Sequence, residues 1–297
     1  MTTARPLPRV RIALEIDLAY RIDAPGADFI LNIQPAHTSC QSVAAEQLSL
    51  NQSIAAQIET DALTGNRYLR LRALPGELKV AYRATVDVQH HHADPDELAE
   101  IPIARLPLDA LQYIYPSRYC ESDKLLRLAM KEFGNLPQGY RRVQAIKEWV
   151  QRQITYVSNT SNPRTSAVDT LVEQAGVCRD FSHLMIALCR AVNIPARFTT
   201  GTDFGADRTL GPPDFHAYVE VLVGNRWYIF DPSATGIPMG FVRIGTGRDA
   251  ADVAFATIFG GVIATAAPLI RAVAADNPAA GFSLPAHTDL AVSTASA

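Results

Sequence analysis

A chain of 297 residues can form one large domain or two ordinary ones, and 48% hydrophobic with 19% charged residues is a soluble globular composition. Its net charge of −3 argues against a broad polyanion-binding surface, and so against a nucleic-acid partner. The four cysteines (Cys40, Cys120, Cys178, Cys189) show no regular framework and no paired metal-ligand spacing, so neither a metal site nor a cofactor is expected. No signal-peptide pattern opens the sequence, which leads us to expect reduced cysteines and a cytoplasmic protein.

From Arg9 the alternation Val10, Ile12, Leu14, Ile16, Leu18 predicts a half-buried strand over 9–20. Further strands are predicted at 29–33, 47–50, 56–59, 68–71 and, after the turn Leu74-Pro75-Gly76-Glu77, at 78–88. Short strands separated by turns make residues 1–105 an all-β, sandwich-like domain. His90-His91-His92 closes it. Consecutive residues on an extended chain point to alternate faces, so these histidines read as a solvated strand end rather than a metal site. A connector punctuated by Pro102, Pro107 and Pro116 carries the domain boundary.

From Ser122 the hydrophobic period becomes helical. One helix runs to Phe133 and ends at Gly134; a second follows Gly139 with Val143, Ile146, Trp149 and Val150 on one face; a short third spans 166–174. After Pro195 come strands at 196–200, 215–223 and 227–231, the last two joined through Gly224-Asn225-Arg226. Helices followed by antiparallel strands predict an α+β second domain over 106–272. Val253–Ile270 is uncharged and just reaches membrane-spanning length, but its glycines, Pro268 and threonines favour a buried strand with a turn, so no membrane partner is expected. Residues 273–297, rich in Ala, Ser, Thr and Pro, read as a loosely held tail.

Chemistry concentrates at Gly176-Val177-Cys178-Arg179-Asp180-Phe181. Gly176 permits a sharp turn before a helix whose apolar stripe is Phe181, Leu184, Met185, Leu188 and Val192. Cys178 stands in the first turn, where free N–H groups and the helix dipole favour an anion such as a thiolate. A buried structural cysteine would fit the same stretch. The stripe points the sulfur toward the sheet, and the helix is expected to pack there. His216 begins one strand of the hairpin and Asp231 ends the other, which makes them neighbours if a bulge or wide turn takes up their unequal distances from Asn225. A carboxylate beside an imidazole fixes its tautomer and leaves the other ring nitrogen for a thiol. Singly, each residue has a bland explanation; together they form a nucleophile, a base and an orienting carboxylate. His183, about 140° round the helix from Cys178, faces away and is read as structural, Asp180 as support for the helix start, and Cys189 as core. The loop 203–214 is a candidate cleft edge.

The runs GVCRDFSHLMIALCRAVNIPARFTTG, DFHAYVEV and WYIFDPSATG resemble the core of the transglutaminase-like superfamily, over about residues 120–260. YPSRYC at 115–120 and GRDAADV at 247–253 are similar to its bacterial branch, whose members carry an N-terminal β domain. The resemblance implies a papain-like catalytic triad of Cys178, His216 and Asp231. It also implies a Cys helix packed on an antiparallel sheet, and the activity of a cysteine protease. On that reading Cys178 attacks the carbonyl of a peptide or peptide-like amide, a thioester forms, and water releases the acyl group. The Cys178 N–H is one oxyanion donor; Gln174 and Tyr156 are candidates for a second, and Trp227 for a cleft wall. The same triad serves acyl transfer to an amine, as in crosslinking or arylamine acetylation. A non-catalytic binding module would retain the fold without the chemistry.

Overall fold

The computed structural model describes residues 9–202, 204–206 and 214–295. Alternation of apolar and polar side chains runs the length of β1 (Val10–Ile22), whose Val10, Ile12, Leu14, Ile16, Leu18, Tyr20 and Ile22 are all buried. It recurs in β2 (Ala27–Leu31), fades in the largely exposed β3 (Gln41–Leu50) and β4 (Ala56–Thr60), and returns in β5 (Arg67–Ala73) and β6 (Gly76–Val88). The fading has a topological cause, because β3 and β4 are edge strands. β1, β6 and β3 pair antiparallel in one sheet, and β2, β5 and β4 in a second. Their apolar faces share one core, so the predicted sandwich is present.

The chain then crosses β7 (His91–Ala93) and a Pro-led connector of short 3₁₀ turns before the helical part. Helices α1 (Ser122–Phe133), α2 (Tyr140–Gln153), α3 (Ala167–Glu173) and α4 (Cys178–Ala191) fall where the helical period places them. Two-residue strands β8 (Thr155–Tyr156) and β9 (Ala175–Gly176) pair in parallel just before α4. The second sheet system holds β10 (Ala196–Thr202), β11 (Phe215–Val223), β12 (Arg226–Phe230) and β13 (Val242–Gly247) in the order β12-β11-β10-β13, all antiparallel. Helix α4 lies at the centre of the second core, packed against the other three helices on one side and β10 and β11 on the other, which is why nearly all of its side chains are buried.

The remainder of the chain departs from the sequence reading. β14 (Ala256–Phe259) joins β2, while β15 (Val262–Ala264) and β16 (Leu269–Ala274) pair with β1. Residues 256–274, read from the sequence as the end of the second domain and the start of a tail, therefore complete the sandwich of the first. Val253–Ile270 does form strands joined by a turn, but their side chains are mostly exposed, since they sit at the sandwich margins. Among the described residues no helix is long and apolar enough to cross a membrane. The loose tail is also corrected: β17 (Ala291–Ser293) pairs with β7, and Ala291, Val292, Ser293, Thr294 and Ala295 are buried.

That return strand changes the environment of the histidine run. His90 is 4% exposed rather than solvated, with no hydrogen-bond partner at either ring nitrogen, and its ring centroid is 6.0 Å from that of His92. Burial, followed by the neighbouring His92, pushes the His90 pKa down to about 4. The folded protein refuses a proton there that the unfolded chain accepts below its ordinary value of about 6.5. Stability at this group is therefore full above pH 6.5 and is lost as the pH falls toward 4. We expect His90→Leu to remove about 2 kcal/mol of the stability lost by the native chain between pH 7 and pH 5. Urea unfolding at the two pH values measures it, and equal pH sensitivity of the two chains would refute the assignment.

Candidate active site

The site is assembled at one end of the β10–β13 sheet. The β11–β12 turn is tighter than its sequence suggests: Val223 pairs directly with Arg226, leaving Gly224 and Asn225 as a two-residue turn. Both have positive φ, +56° and +69°, as a type I′ turn demands and as the Gly-Asn pair supplies. The register then pairs Val219 with Phe230. Continued by one residue, it places Asp231 opposite Tyr218 and diagonal to His216 on the same face. No bulge is needed, and diagonal neighbours are within reach of long side chains. His216 Nε2 lies 3.4 Å from Asp231 Oδ2, and both side chains are 3% exposed.

Asp231 is itself held in place. Its Oδ1 accepts hydrogen bonds from Ser233 N (3.1 Å) and Ser233 Oγ (2.6 Å), and its Oδ2 accepts one from Gly236 N at 3.4 Å. The Asp231 backbone carbonyl accepts from Gln151 Nε2 on α2 at 3.4 Å. Burial opposes ionisation of this carboxyl, but the His216 charge and hydrogen bond, with the Ser233 and Gly236 donors, keep its pKa below the usual range. Burial equally opposes the charge on His216. The Asp231 carboxylate, with hydrogen bonds to Asp231 and Cys178, overcomes it and holds the imidazole pKa well above 6.5. With Nε2 turned to Asp231, Nδ1 is the ring nitrogen left for the Cys178 sulfur.

Cys178 is the first residue of α4, half-buried and free. Its N–H is among the first four of the helix, which have no intrahelical acceptor. Asp180 fixes this helix start: its Oδ2 accepts from Val177 N at 2.9 Å, and its Oδ1 from Ser161 Oγ at 2.8 Å and from Arg179. Gly176 owes its identity to this carboxylate rather than to a sharp turn. It carries no left-handed φ, and a Cβ there would stand 2.8 Å from Asp180 Cβ.

The expected packing of the Cys helix on the antiparallel sheet is present. α4 covers the sheet face formed by Ala196, Phe198, Ala217, Val219, Val221, Tyr228 and Phe230. By strand alternation His216, Tyr218 and Glu220 belong to the opposite face. His216 therefore does not face Cys178 directly across the helix–sheet interface. The β12 ladder stops at Val219–Phe230, short of His216.

The other predicted residues separate clearly. Tyr156, on β8, pairs across from Gly176, two residues before Cys178, with its ring 6.2 Å from that of Phe181. Gln174 is the left-handed cap that ends α3, with φ +53° and an exposed side chain. Trp227 shares a sheet face with Asp231 but lies four residues, about 13 Å, further along the strand. There it packs edge-on against Tyr113 (5.2 Å) beneath the Arg197 guanidinium (4.2 Å), and is no part of this cluster. His183 is fully buried, stacked on Tyr119 at 5.0 Å, and its Nε2 accepts from Ala250 N at 3.2 Å. Burial, then the charges of Arg179 and Arg190, holds it well below 6.5 and hence neutral. Residues 203 and 207–213 of the predicted cleft-edge loop lie outside the described residues. Sequence reasoning missed Ser233 and Gly236, although Asp-Pro-Ser is a legible Asx-turn pattern. It also missed Phe241, whose ring packs 4.8 Å from His216 and which no local pattern connects to it.

Residues 128–232, which hold Cys178, His216 and Asp231, match the transglutaminase-like superfamily, and residues 10–109 match the bacterial transglutaminase N-terminal domain. A solved structure from Cytophaga hutchinsonii, provisionally called a cysteine protease, is 37% identical, covers 96% of this chain and 97% of its own, and superposes with a TM-score of 0.88. An uncharacterized protein of Mycobacterium leprae is 26% identical over 48% of this chain and 53% of its own length. One of Mycobacterium tuberculosis is 30% identical over 37% and 40%. The matches thus span about half or less of these mycobacterial relatives. With both of its parts matched in order, and a solved relative alike over nearly its whole length, this chain belongs to the transglutaminase-like superfamily, in the bacterial branch that carries its own N-terminal β domain.

Proposed function

We propose that this protein is a cysteine hydrolase that cleaves amide bonds of a peptide or peptide-like substrate through a thioester on Cys178. The observation that carries the reading is the buried His216, 3.4 Å from the Asp231 carboxylate and raised in pKa, against the effect of burial, by Asp231 and then Cys178, so that its charged form is favoured. Membership of a superfamily of cysteine hydrolases and acyltransferases supports it. In the first step the Cys178 sulfur adds to the substrate carbonyl carbon, and the carbonyl oxygen takes the negative charge. The Cys178 N–H and the positive end of α4 stabilise that oxyanion. The C–N bond breaks as the amine leaves with the proton from His216, and a thioester remains. His216 then takes a proton from water, hydroxide adds to the thioester carbon, and collapse releases a carboxylic acid and restores the sulfur and imidazolium. Asp231 orients the ring and stays ionised throughout.

Cys178→Ala is expected to abolish turnover of peptide amides and to change stability by no more than about 1 kcal/mol, because the side chain is small and half-buried. His216→Ala should be equally inactive yet less stable, since it strands the Asp231 carboxylate in the interior. Activity and urea unfolding of the two variants check this, and full activity in either would sink the mechanism.

Asp231→Asn should be milder in rate at its best pH. It removes the main charge that raises the His216 pKa, so the alkaline limb of the activity profile, which lies well above pH 6.5 in the native chain, moves toward neutrality. An unmoved limb would separate Asp231 from the imidazole. Acyl transfer is distinguished by its acceptor: product that forms only when an amine is supplied, and never in water alone, would replace hydrolysis with transfer.

A further inference from the structure

We infer that the C-terminal segment Ala286–Ala295 is a positioning strap for the catalytic centre, fixing His216 through an aromatic layer formed by Phe241 and Tyr218. The inference rests on the proposed role of His216 and adds to it a part of the chain that lies outside the triad and outside the matched family regions.

The ion pair with Asp231 locates His216 at Nε2, but the faces of an imidazole are held only by packing. On the side of the sheet away from α4 that packing is a small buried cluster, Tyr218, Ile229, Phe241 and Val292, separate from the two large cores. Phe241 stands 4.8 Å from the His216 ring and 4.9 Å from Tyr218, and Tyr218 is stacked on His216 at 6.3 Å. Val292, on β17, is the one aliphatic member contributed from outside the sheet system and its β12–β13 connection.

The strap is anchored at several points, which gives it one position. β17 pairs with β7 through Ala291–Ala93, Val292–His92 and Ser293–His91. Thr38 Oγ1 of the sandwich donates to Thr294 O at 2.7 Å, and Arg226, at the start of β12, donates from Nη1 to Ala295 O at 2.8 Å. The strap thereby ties the sandwich to the strand that leads into Asp231. Upstream, residues 286–290 form one wall of a cleft of about 530 Å³; α2 supplies another wall through Lys147 and Gln151, and Asp231 borders it. The same ten residues thus close a cleft at the carboxylate and pack the layer behind the imidazole.

Two readouts test the inference without knowledge of the substrate: the NMR titration of the His216 ring, and the alkylation rate of Cys178 by iodoacetamide at pH 7. Buried Cys120, its thiol pushed up to about 12 by burial, serves as an internal control. Val292→Ala, Val292→Ile and removal of 286–297 are compared with the native chain. We expect the alanine variant and the truncation to lower the His216 midpoint and to slow alkylation about tenfold or more, and the isoleucine variant to restore both. If the truncated chain fails to unfold cooperatively, Val292→Ala alone decides. A folded Val292→Ala protein with native midpoint and rate overturns the strap. A native chain whose His216 titrates near 6.5, and whose Cys178 is insensitive to His216→Ala, overturns instead the reading on which the strap rests.

Discussion

The β10–β13 sheet is buried on both sides, and its two sides are different media. Under α4 the surface is apolar, and it packs as any core does. The opposite surface carries Glu220, fully buried, bonded to Arg197 at 2.8 Å and with Arg243 at 3.9 Å. Charges taken out of water are tolerable only when each is matched and its remaining donors are satisfied. Arg243 bonds to both parts: its Nη2 donates to Thr64 O of the sandwich at 2.7 Å and to Thr246 Oγ1 of its own strand at 3.2 Å, and its backbone N–H donates to Gln41 Oε1 at 2.9 Å. Asn66 likewise bonds the backbone of Thr246 in both directions. The sandwich is therefore structural to the second sheet. Without it, the buried Arg243 guanidinium of β13 would lose its Thr64 acceptor, and β10, whose Gly201 pairs with His216, would lose its outer neighbour.

This asymmetry explains how the cluster forms. A histidine on the apolar side of the sheet would be neutral, as His183 is on α4 among aromatic rings. On the polar side, at the strand end, His216 has the Asp231 carboxylate within reach, 3.4 Å away. Two buried imidazoles in one domain are thus pushed in opposite directions by their surroundings, and only one is fit for proton transfer.

Much of this was legible in the residues. The period of two in β1 and β6, the helical stripe after Cys178 and the Gly-Asn turn each encode their element locally, and the three site residues follow from strand and helix ends. What was not legible depends on long-range closure. Residues 256–274 look like a continuation of the second domain because nothing in Ala256–Phe259 announces β2 as its partner. The last segment has the composition of a tail, yet it is ordered by Thr38 and Arg226, far away in sequence. The helical stripe shows which residues of α4 are buried, but not which strand face receives them. His90 was also misread, since its burial comes from parts of the chain that its own neighbours in sequence do not announce.

The path of β1 carries a consequence for how the molecule is made. β1 pairs on one side with β6, from Val10–Val88 to Ile22–Gly76, and on the other with β16, so that Ile12 lies against both Val86 and Ala274. The whole helical part is in effect an insertion between strands of the sandwich. During synthesis β1 and β6 can meet early, but one flank of β1 stays open until the entire second domain has been translated. An unpaired flank with alternating apolar residues is a template for pairing with another chain. Late, distant strand pairing is also intrinsically slow. The interval between emergence of β6 and arrival of β16 is accordingly the stage of biogenesis at which this protein is most exposed to aggregation.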